Sequence, residues 1–193
     1  DTVLMTNYST NPSFELTNNT DITKPGGGTA KDVLRQKGGG PVTSVGGASA
    51  YRDTLTHSST TSRWPLNGLY SLCVDAGTTS TNTSSALLSG ASTGTPALWN
   101  VSSGNTYTVS AYFYQDTIQS GSLNTFARSI KINITAPSVN GGAAMSGWKF
   151  AQAQNIVGIQ RVSVTFTLPA STSAFNIELT NGATNGKVWW DAL

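Results

Sequence analysis

Side chains that could carry out chemistry are scarce in this sequence. Its 193 residues include one histidine, one cysteine, two glutamates and seven aspartates. His57 could form a catalytic triad with Asp53 and a nearby serine, but no nucleophile-elbow motif accompanies them. We therefore expect His57 to be an exposed loop residue.

Paired carboxylates offer the other route to catalysis, because a glycosidase needs two of them on either side of one bond. The candidates on predicted strands are Glu15, Glu178 and Asp191. Glu178 falls on the polar face of its strand, which is typical of a surface carboxylate. No glycine triplet is followed by Lys-Ser/Thr, so a phosphate-binding loop is not indicated either. We expect the chain not to be an enzyme.

The composition excludes several classes of partner. Charged residues make up 10% of the chain and the net charge is +2, with no cluster of Lys or Arg, which argues against nucleic acid. No apolar run approaches the roughly 20 residues of a membrane span. The single cysteine, Cys73, excludes an internal disulfide framework and is expected in the core. Since the chain opens at Asp1 without a signal-like segment, we expect a processed or excised piece.

Alternation of apolar and polar residues predicts β-strands as the elements that position these side chains. Turn signals such as Asn181-Gly182 separate the strands, and helical periodicity is absent. The pattern predicts two packed antiparallel sheets. The apolar sets of the four clearest strands are Tyr107, Val109, Ala111 and Phe113; Ile130, Ile132 and Ile134; Val162, Val164, Phe166 and Leu168; and Phe175, Ile177 and Leu179.

The length fits one domain, residues 1–193, because no charged or low-complexity block divides the chain. The segment 17–60 is rich in glycine and is predicted to be a loop-dominated excursion. A flexible linker is the alternative. Val45 and Tyr51, among other apolar residues there, favour short strands that are tied to the sandwich.

Four strand-like motifs follow one another along nearly the whole chain. They are Asn11-Pro12-Ser13-Phe14-Glu15, Gly68-Leu69-Tyr70-Ser71-Leu72-Cys73-Val74, Gly104-Asn105-Thr106-Tyr107-Thr108-Val109-Ser110-Ala111-Tyr112 and Val188-Trp189-Trp190-Asp191-Ala192-Leu193. In this order they resemble the carbohydrate-binding-module jelly rolls found in bacteriophage tail and receptor-binding proteins. The resemblance implies an all-β jelly-roll β-sandwich of two antiparallel sheets. The usual Gly-Trp soon after the opening motif is missing, so a binding specificity is not transferred.

The resemblance also implies that the two ends of the chain meet. We expect the first strand, Ser13–Leu16, to lie beside the last, Lys187–Leu193. Modules of this shape often hold a structural calcium ion between these strands, and here Glu15 and Asp191 would supply the carboxylates. The alternative is that both are surface acids.

Aromatic residues on a polar strand face are candidates for sugar binding, because aromatic planes pack on the apolar faces of sugars. Tyr112 and Tyr114 lie on the face opposite the predicted core set, and Trp148 is a third candidate. Gln115 and Arg52 could add polar contacts. Burial under a loop or in an oligomer contact is the alternative.

Adjacent strand residues point to opposite faces, so Trp189 and Trp190 cannot both point into the sandwich. One of the two is expected in the core. The other is expected to be covered by something else or to be exposed.

These observations favour a non-catalytic carbohydrate-binding domain. The resemblance implies a phage tail or receptor-binding protein, outside the cell on the virion tail or secreted, that recognises host cell-wall or capsular glycan. A homo-oligomer could form through the parent protein. The alternatives are a structural or assembly domain of a virion tail and an accessory sugar-binding module of a secreted polysaccharide-degrading enzyme.

Overall fold

Ten β-strands and no helix occur among the residues that the structure, a computed structural model, describes. No membrane-spanning helix occurs among them either. The described residues are 43–45, 49–53, 71–77, 84–88, 101–120, 123, 125–133, 149–170 and 175–193, without the side chains of 43–45, 52 and 133. The strands are β1 (Thr43–Val45), β2 (Ser49–Asp53), β3 (Ser71–Asp75), β4 (Ser85–Leu88), β5 (Thr106–Gln115), β6 (Ser129–Asn133), β7 (Lys149–Gln152), β8 (Gly158–Thr167), β9 (Asn176–Thr180) and β10 (Lys187–Asp191).

The strands form two antiparallel sheets of five strands each. The first sheet has the order β1-β4-β9-β6-β7, and the second has the order β2-β3-β10-β5-β8. Neighbouring strands in both sheets are antiparallel. The all-β class and the two antiparallel sheets predicted from the alternation are thus confirmed.

The main core lies between the two sheets and takes alternate residues from both. On β5 the inward set includes Val109, Ala111 and Phe113, as the alternation predicts. Trp190 is fully buried and packs edge-on against Phe113, with 5.0 Å between the ring centroids. Burying an aromatic or aliphatic side chain of this size stabilises the fold by about 1.5–3 kcal/mol, which accounts for the β-sandwich architecture.

The last strand, β10, lies between β3 and β5. Trp189 pairs with Cys73 on one side and with Tyr114 on the other. Both edges of the strand are therefore paired at Trp189 and Trp190. The expectation that Ser13–Leu16 lies beside the last strand stays a prediction, because that segment lies outside the described residues.

Two strands of the sandwich, β1 and β2, fall inside the glycine-rich segment 17–60. β1 pairs with β4 at one end of the first sheet, and β2 pairs with β3 at one end of the second. This part of the segment therefore belongs to both sheets. The rest of it lies outside the described residues.

Buried amide side chains fasten the loops at one end of the sandwich. The Asn181 side chain donates hydrogen bonds to the carbonyl oxygens of Val74 (3.0 Å) and Gly186 (2.9 Å) and accepts one from Gln119. Gln119 Oε1 in turn accepts a hydrogen bond from Arg128 Nη1 at 3.1 Å. This network fixes the segment that follows β5 against the ends of β3 and β9.

Candidate functional site

The face of the second sheet that points away from the core carries a row of large side chains. Tyr51, Cys73, Trp189 and Tyr114 lie side by side on β2, β3, β10 and β5, and we call them the aromatic row. Their strand neighbours, such as Trp190, point into the main core. Each member of the row is nonetheless 4% exposed or less, so the row forms a second apolar cluster.

Acidic residues hold the polar atoms of this row in place. Trp189 Nε1 donates a hydrogen bond to Asp53 Oδ2 at 3.1 Å, and the Tyr51 hydroxyl donates one to Asp75 Oδ2 at 3.4 Å. Lys187 Nζ lies 3.7 Å from Asp75 Oδ2 and balances its charge. The indole and the phenol are therefore fixed by partners inside the protein.

Burial raises the pKa of the Cys73 thiol to about 12, opposed in part by a hydrogen bond with the Tyr51 hydroxyl and aided less strongly by the carboxylates of Asp53 and Asp75. Burial also raises the pKa of the Tyr51 hydroxyl above its ordinary value. Both groups are therefore neutral at physiological pH, and a buried neutral thiol is a poor nucleophile.

Tyr112, next to the aromatic row, is partly accessible to solvent. It lies on the same face as Tyr114, packs against the aromatic row and is half-buried. Its register partners are Asp191 on β10 and Arg161 on β8. The Arg161 side chain is exposed, and its Nη2 donates a hydrogen bond to Ser110 Oγ at 3.4 Å.

Hydroxyl side chains continue this face along β5 and β8, and we call them the hydroxyl ladder. The Thr106 and Thr167 hydroxyls lie 2.9 Å apart, as do those of Thr108 and Thr165. All four threonines are exposed. The members of the ladder, as register pairs, are Thr106 with Thr167, Thr108 with Thr165, and Ser110 with Ser163.

These side chains together form a surface suited to a polyhydroxylated ligand. The Tyr112 ring offers an apolar plane, and the Arg161 guanidinium is a cationic donor beside it. The ladder hydroxyls both donate and accept hydrogen bonds. Because these groups lie on two paired strands, the sheet holds them in place before any ligand binds.

The structure brings only part of the predicted ligand site to the surface. Tyr112 is there, but Tyr114 is 3% exposed and Gln115 is fully buried. Tyr114 packs against Trp189 with 5.7 Å between centroids, and Gln115 Nε2 donates to Asn155 Oδ1 at 3.0 Å. The expectation that Tyr114 and Gln115 contact a ligand is therefore corrected, because both side chains are buried.

Two further predicted residues lie beyond what the structure describes. Trp148 falls outside the described residues. Arg52 lies on β2 and pairs with Leu72, but its side chain is among those left undescribed. Both remain predictions.

The structure describes one of the two predicted calcium ligands. Asp191 is buried at the end of β10, and its Oδ1 accepts a hydrogen bond from the Ala192 N–H at 2.7 Å. Glu15 lies outside the described residues, within which no group of three or more His, Cys, Asp or Glu could hold a metal ion. Calcium thus stays a prediction, and no step below depends on it.

The remaining acidic candidate is held in an ion pair. Glu178 lies on the outer face of the first sheet, where its Oε2 is 3.4 Å from Lys131 Nζ and accepts a hydrogen bond from Ser85 Oγ at 3.4 Å. The sequence predicted a surface carboxylate, and the side chain is instead largely covered by these partners. His57 lies outside the described residues.

Sequence reasoning missed Arg161 and the hydroxyl ladder. The alternation along β8 does place Arg161, Ser163 and Thr165 on one polar face. Polar faces of strands are common, however, and what marks this one is its pairing with Tyr112 and Thr108 on β5. That pairing is a long-range contact, which the local pattern does not contain.

Comparison of the chain with models of known protein families gives no match, and comparison with curated protein sequences gives no significant match.

Proposed function

We propose that the chain is a non-catalytic carbohydrate-binding domain whose ligand surface is the open half of the outer face of the second sheet. One observation supports this most strongly. Tyr112, a half-buried aromatic residue at the end of the hydroxyl ladder, has Asp191 on β10 and Arg161 on β8 as its register partners. Few other ligands use an apolar plane and so many hydroxyl partners together.

In the proposed complex, different side chains contact the apolar face and the polar edge of the sugar. One apolar ring face stacks on Tyr112, while Arg161 and Ser110 bond the hydroxyls or a carboxylate at the sugar edge. Further sugars of a chain lie along the ladder and exchange hydrogen bonds with Ser163 and Thr165. Since no proton transfer or bond cleavage is needed, the scarcity of reactive groups fits binding alone.

The motif resemblance supplies the biological setting of the proposal. In that setting the sandwich is a jelly roll, the parent is a phage tail or receptor-binding protein, and the ligand is host cell-wall or capsular glycan outside the cell. The two antiparallel sheets support a jelly roll, because that fold packs two antiparallel sheets face to face. An accessory module of a secreted polysaccharide-degrading enzyme would bind sugar through the same surface.

Glycan binding by surface variants tests the proposal. We expect Tyr112→Ala and Arg161→Ala each to weaken binding by about tenfold or more in a glycan array followed by titration, because each removes one main contact. Phe150→Ala is the matched control, since Phe150 is an exposed aromatic on the first sheet.

The control variant should bind like the unaltered chain. If no glycan or cell-wall fraction binds the chain, or if Phe150→Ala weakens binding as much as Tyr112→Ala does, the proposed surface is wrong. Circular dichroism of each variant separates loss of binding from loss of folding.

A virion assembly domain is the second candidate function, and exposed apolar residues in the loops at one end of the sandwich favour it. Ile118 is 62% exposed and Val157 is 55% exposed, and hydrogen bonds between Asn155 and Gln119 hold their loops together. Exposed apolar side chains that lie together are typical of contact surfaces between proteins. In that case Ile118→Ser would change assembly and leave glycan binding unchanged.

A further inference from the structure

The edge strand β8 is unlike the other three edge strands of the sandwich. β1, β2 and β7 have three, five and four residues, whereas β8 has ten. β5 pairs with β8 over its full length, from Gly158 to Thr167, and among the described residues no strand lies on its other side. β8 therefore presents one long edge.

Along that edge the backbone of β8 has hydrogen-bonding groups with which no strand among the described residues pairs. Leu168 N–H donates to the Asn105 carbonyl at 2.9 Å. This bond shows which residues of β8 direct their backbone groups towards β5. In an antiparallel ladder, alternate residues exchange both hydrogen bonds with one neighbour. The even-numbered residues of β8 therefore bond to β5, and the odd-numbered residues from Ile159 to Thr167 direct their N–H and C=O groups to the open edge.

The sequence of β8 protects this edge only weakly. Natural sheets block exposed edges with charged side chains, especially lysine, and with proline, bulges or very short strands. β8 contains no lysine, no acidic residue and no proline, and Arg161 is its single charge. A long edge with so little protection is expected to pair with another strand.

We propose that this edge pairs with β8 of a second copy of the chain, antiparallel and about a two-fold axis at Ser163. In this register Arg161 lies opposite Thr165 of the second copy, so the single charge of each strand faces a hydroxyl and not its own equivalent. Val162 lies opposite Val164 of the second copy on the inner face, which continues the apolar core.

Backbone hydrogen bonding, side-chain pairing and the low net charge all favour pairing of β8 with its own copy. Every odd-numbered residue in this register meets another odd-numbered residue, so each free N–H finds a free C=O. Threonine and serine hydroxyls already pair across β5 and β8, at 2.9 Å for Thr108 and Thr165, and cross-strand pairs of this kind are stabilising. The net charge of +2 opposes the approach of two copies only weakly.

The pairing would join the two second sheets into one continuous sheet. The two Tyr112 rings would then lie about 20 Å apart on the same face, from three strand spacings and four residues along the strand. This consequence depends on the proposed function: a polymeric glycan could contact both surfaces of the dimer and bind with increased avidity.

The test compares the mass of the full chain in solution with that of edge variants, by sedimentation across a concentration series. Ser163→Pro removes one free N–H of the open edge and leaves the bonds to β5 in place. Ser163→Lys places two like charges at the two-fold axis. Asn105→Lys is the matched control, because it adds the same charge at an exposed turn away from the edge.

We expect the unaltered chain and Asn105→Lys to dimerise with the same affinity, and both Ser163 variants to raise the dimer dissociation constant by about tenfold or more. A chain that stays monomeric throughout the series, or a dimer unaffected by either Ser163 variant, overturns the proposal. Should both Ser163 variants fail to fold, a spin label on Ser163→Cys must report a short distance between copies, and its absence overturns the proposal equally. None of these readouts involves glycan, so failure here is distinct from failure of the proposed function.

Discussion

Cys73 shows how strongly a residue depends on the strands beside it. It lies in the middle of the aromatic row, between Tyr51 on β2 and Trp189 on β10. The row is buried, and burial raises the pKa of the Cys73 thiol to about 12. In the unfolded chain the pKa of the same thiol is about 8.5. The folded protein therefore keeps a proton that the unfolded chain loses in alkaline solution.

This difference predicts a loss of stability at high pH. A raised pKa in the folded state means that the thiol's contribution is complete below about pH 8.5 and is lost as the pH rises towards about 12. The expected slope is at most about 1.4 kcal/mol per pH unit. Urea denaturation at a series of pH values should show a shallower slope for Cys73→Ala than for the unaltered chain. Parallel curves for the two proteins would mean that the thiol does not titrate as described.

At the residue scale, the sequence predicted which face of a strand a side chain lies on, but not whether that side chain is buried. Alternation correctly placed Trp189 and Trp190 on opposite faces, because that rule is a local property of a strand. Trp190 is the core residue, and Trp189 is the one covered on the other side. Tyr112 and Tyr114 were both predicted to contact a ligand because both lie on the outer face. Tyr114 is buried and Tyr112 is half-buried, since Trp189 from β10, a strand distant in sequence, packs against Tyr114.

At the scale of elements, the turn after β9 depends on a glycine at which any side chain would be strained. Gly182 has a φ of +67°, and a Cβ placed there would lie 2.5 Å from Ala127 Cα. Its N–H donates to the Ser84 carbonyl at 3.0 Å. The turn before β10 also contains a left-handed glycine, Gly186, with a φ of +87°, but a Cβ there would meet nothing within 4 Å.

These two glycines form a matched pair of substitutions. Both alanine variants bear the cost of a left-handed conformation, about 1–2 kcal/mol each. Gly182→Ala adds a clash with the backbone of Ala127. We therefore expect it to lower the free energy of unfolding by a further amount of about 1–3 kcal/mol, the usual cost of overpacking. Chemical denaturation measures both. Equal losses for the two variants would contradict the close approach of Ala127.

Elements were predictable from the sequence, but their order in the sheets was not. The alternating segments of β5, β6, β8 and β9 are local signals and were found. The position of β10 between β3 and β5 depends on pairing between distant segments, which the local pattern does not contain. The network of Asn181, Gln119 and Arg128 was missed as well, since buried polar residues leave no periodic pattern.

On the scale of the whole molecule, the two halves of one sheet face differ in what they can do. The half formed by β2, β3 and β10 carries buried side chains that are satisfied within the protein. The half formed by β5 and β8 carries Tyr112, Arg161 and the hydroxyl ladder, which are accessible wholly or in part. The rigid half supports the open half, so the proposed ligand surface is preorganised by the core on one side and by the aromatic row beside it.

The most direct test of the proposed surface is NMR mapping of the backbone amides during titration with a glycan that the chain binds. We expect the largest chemical-shift changes at Tyr112, Arg161, Ser163 and Thr165, with little change on the outer face of the first sheet around Phe150. Changes confined to the loops that contain Ile118 and Val157, or spread over the first sheet, would contradict the assignment of the ligand surface to β5 and β8.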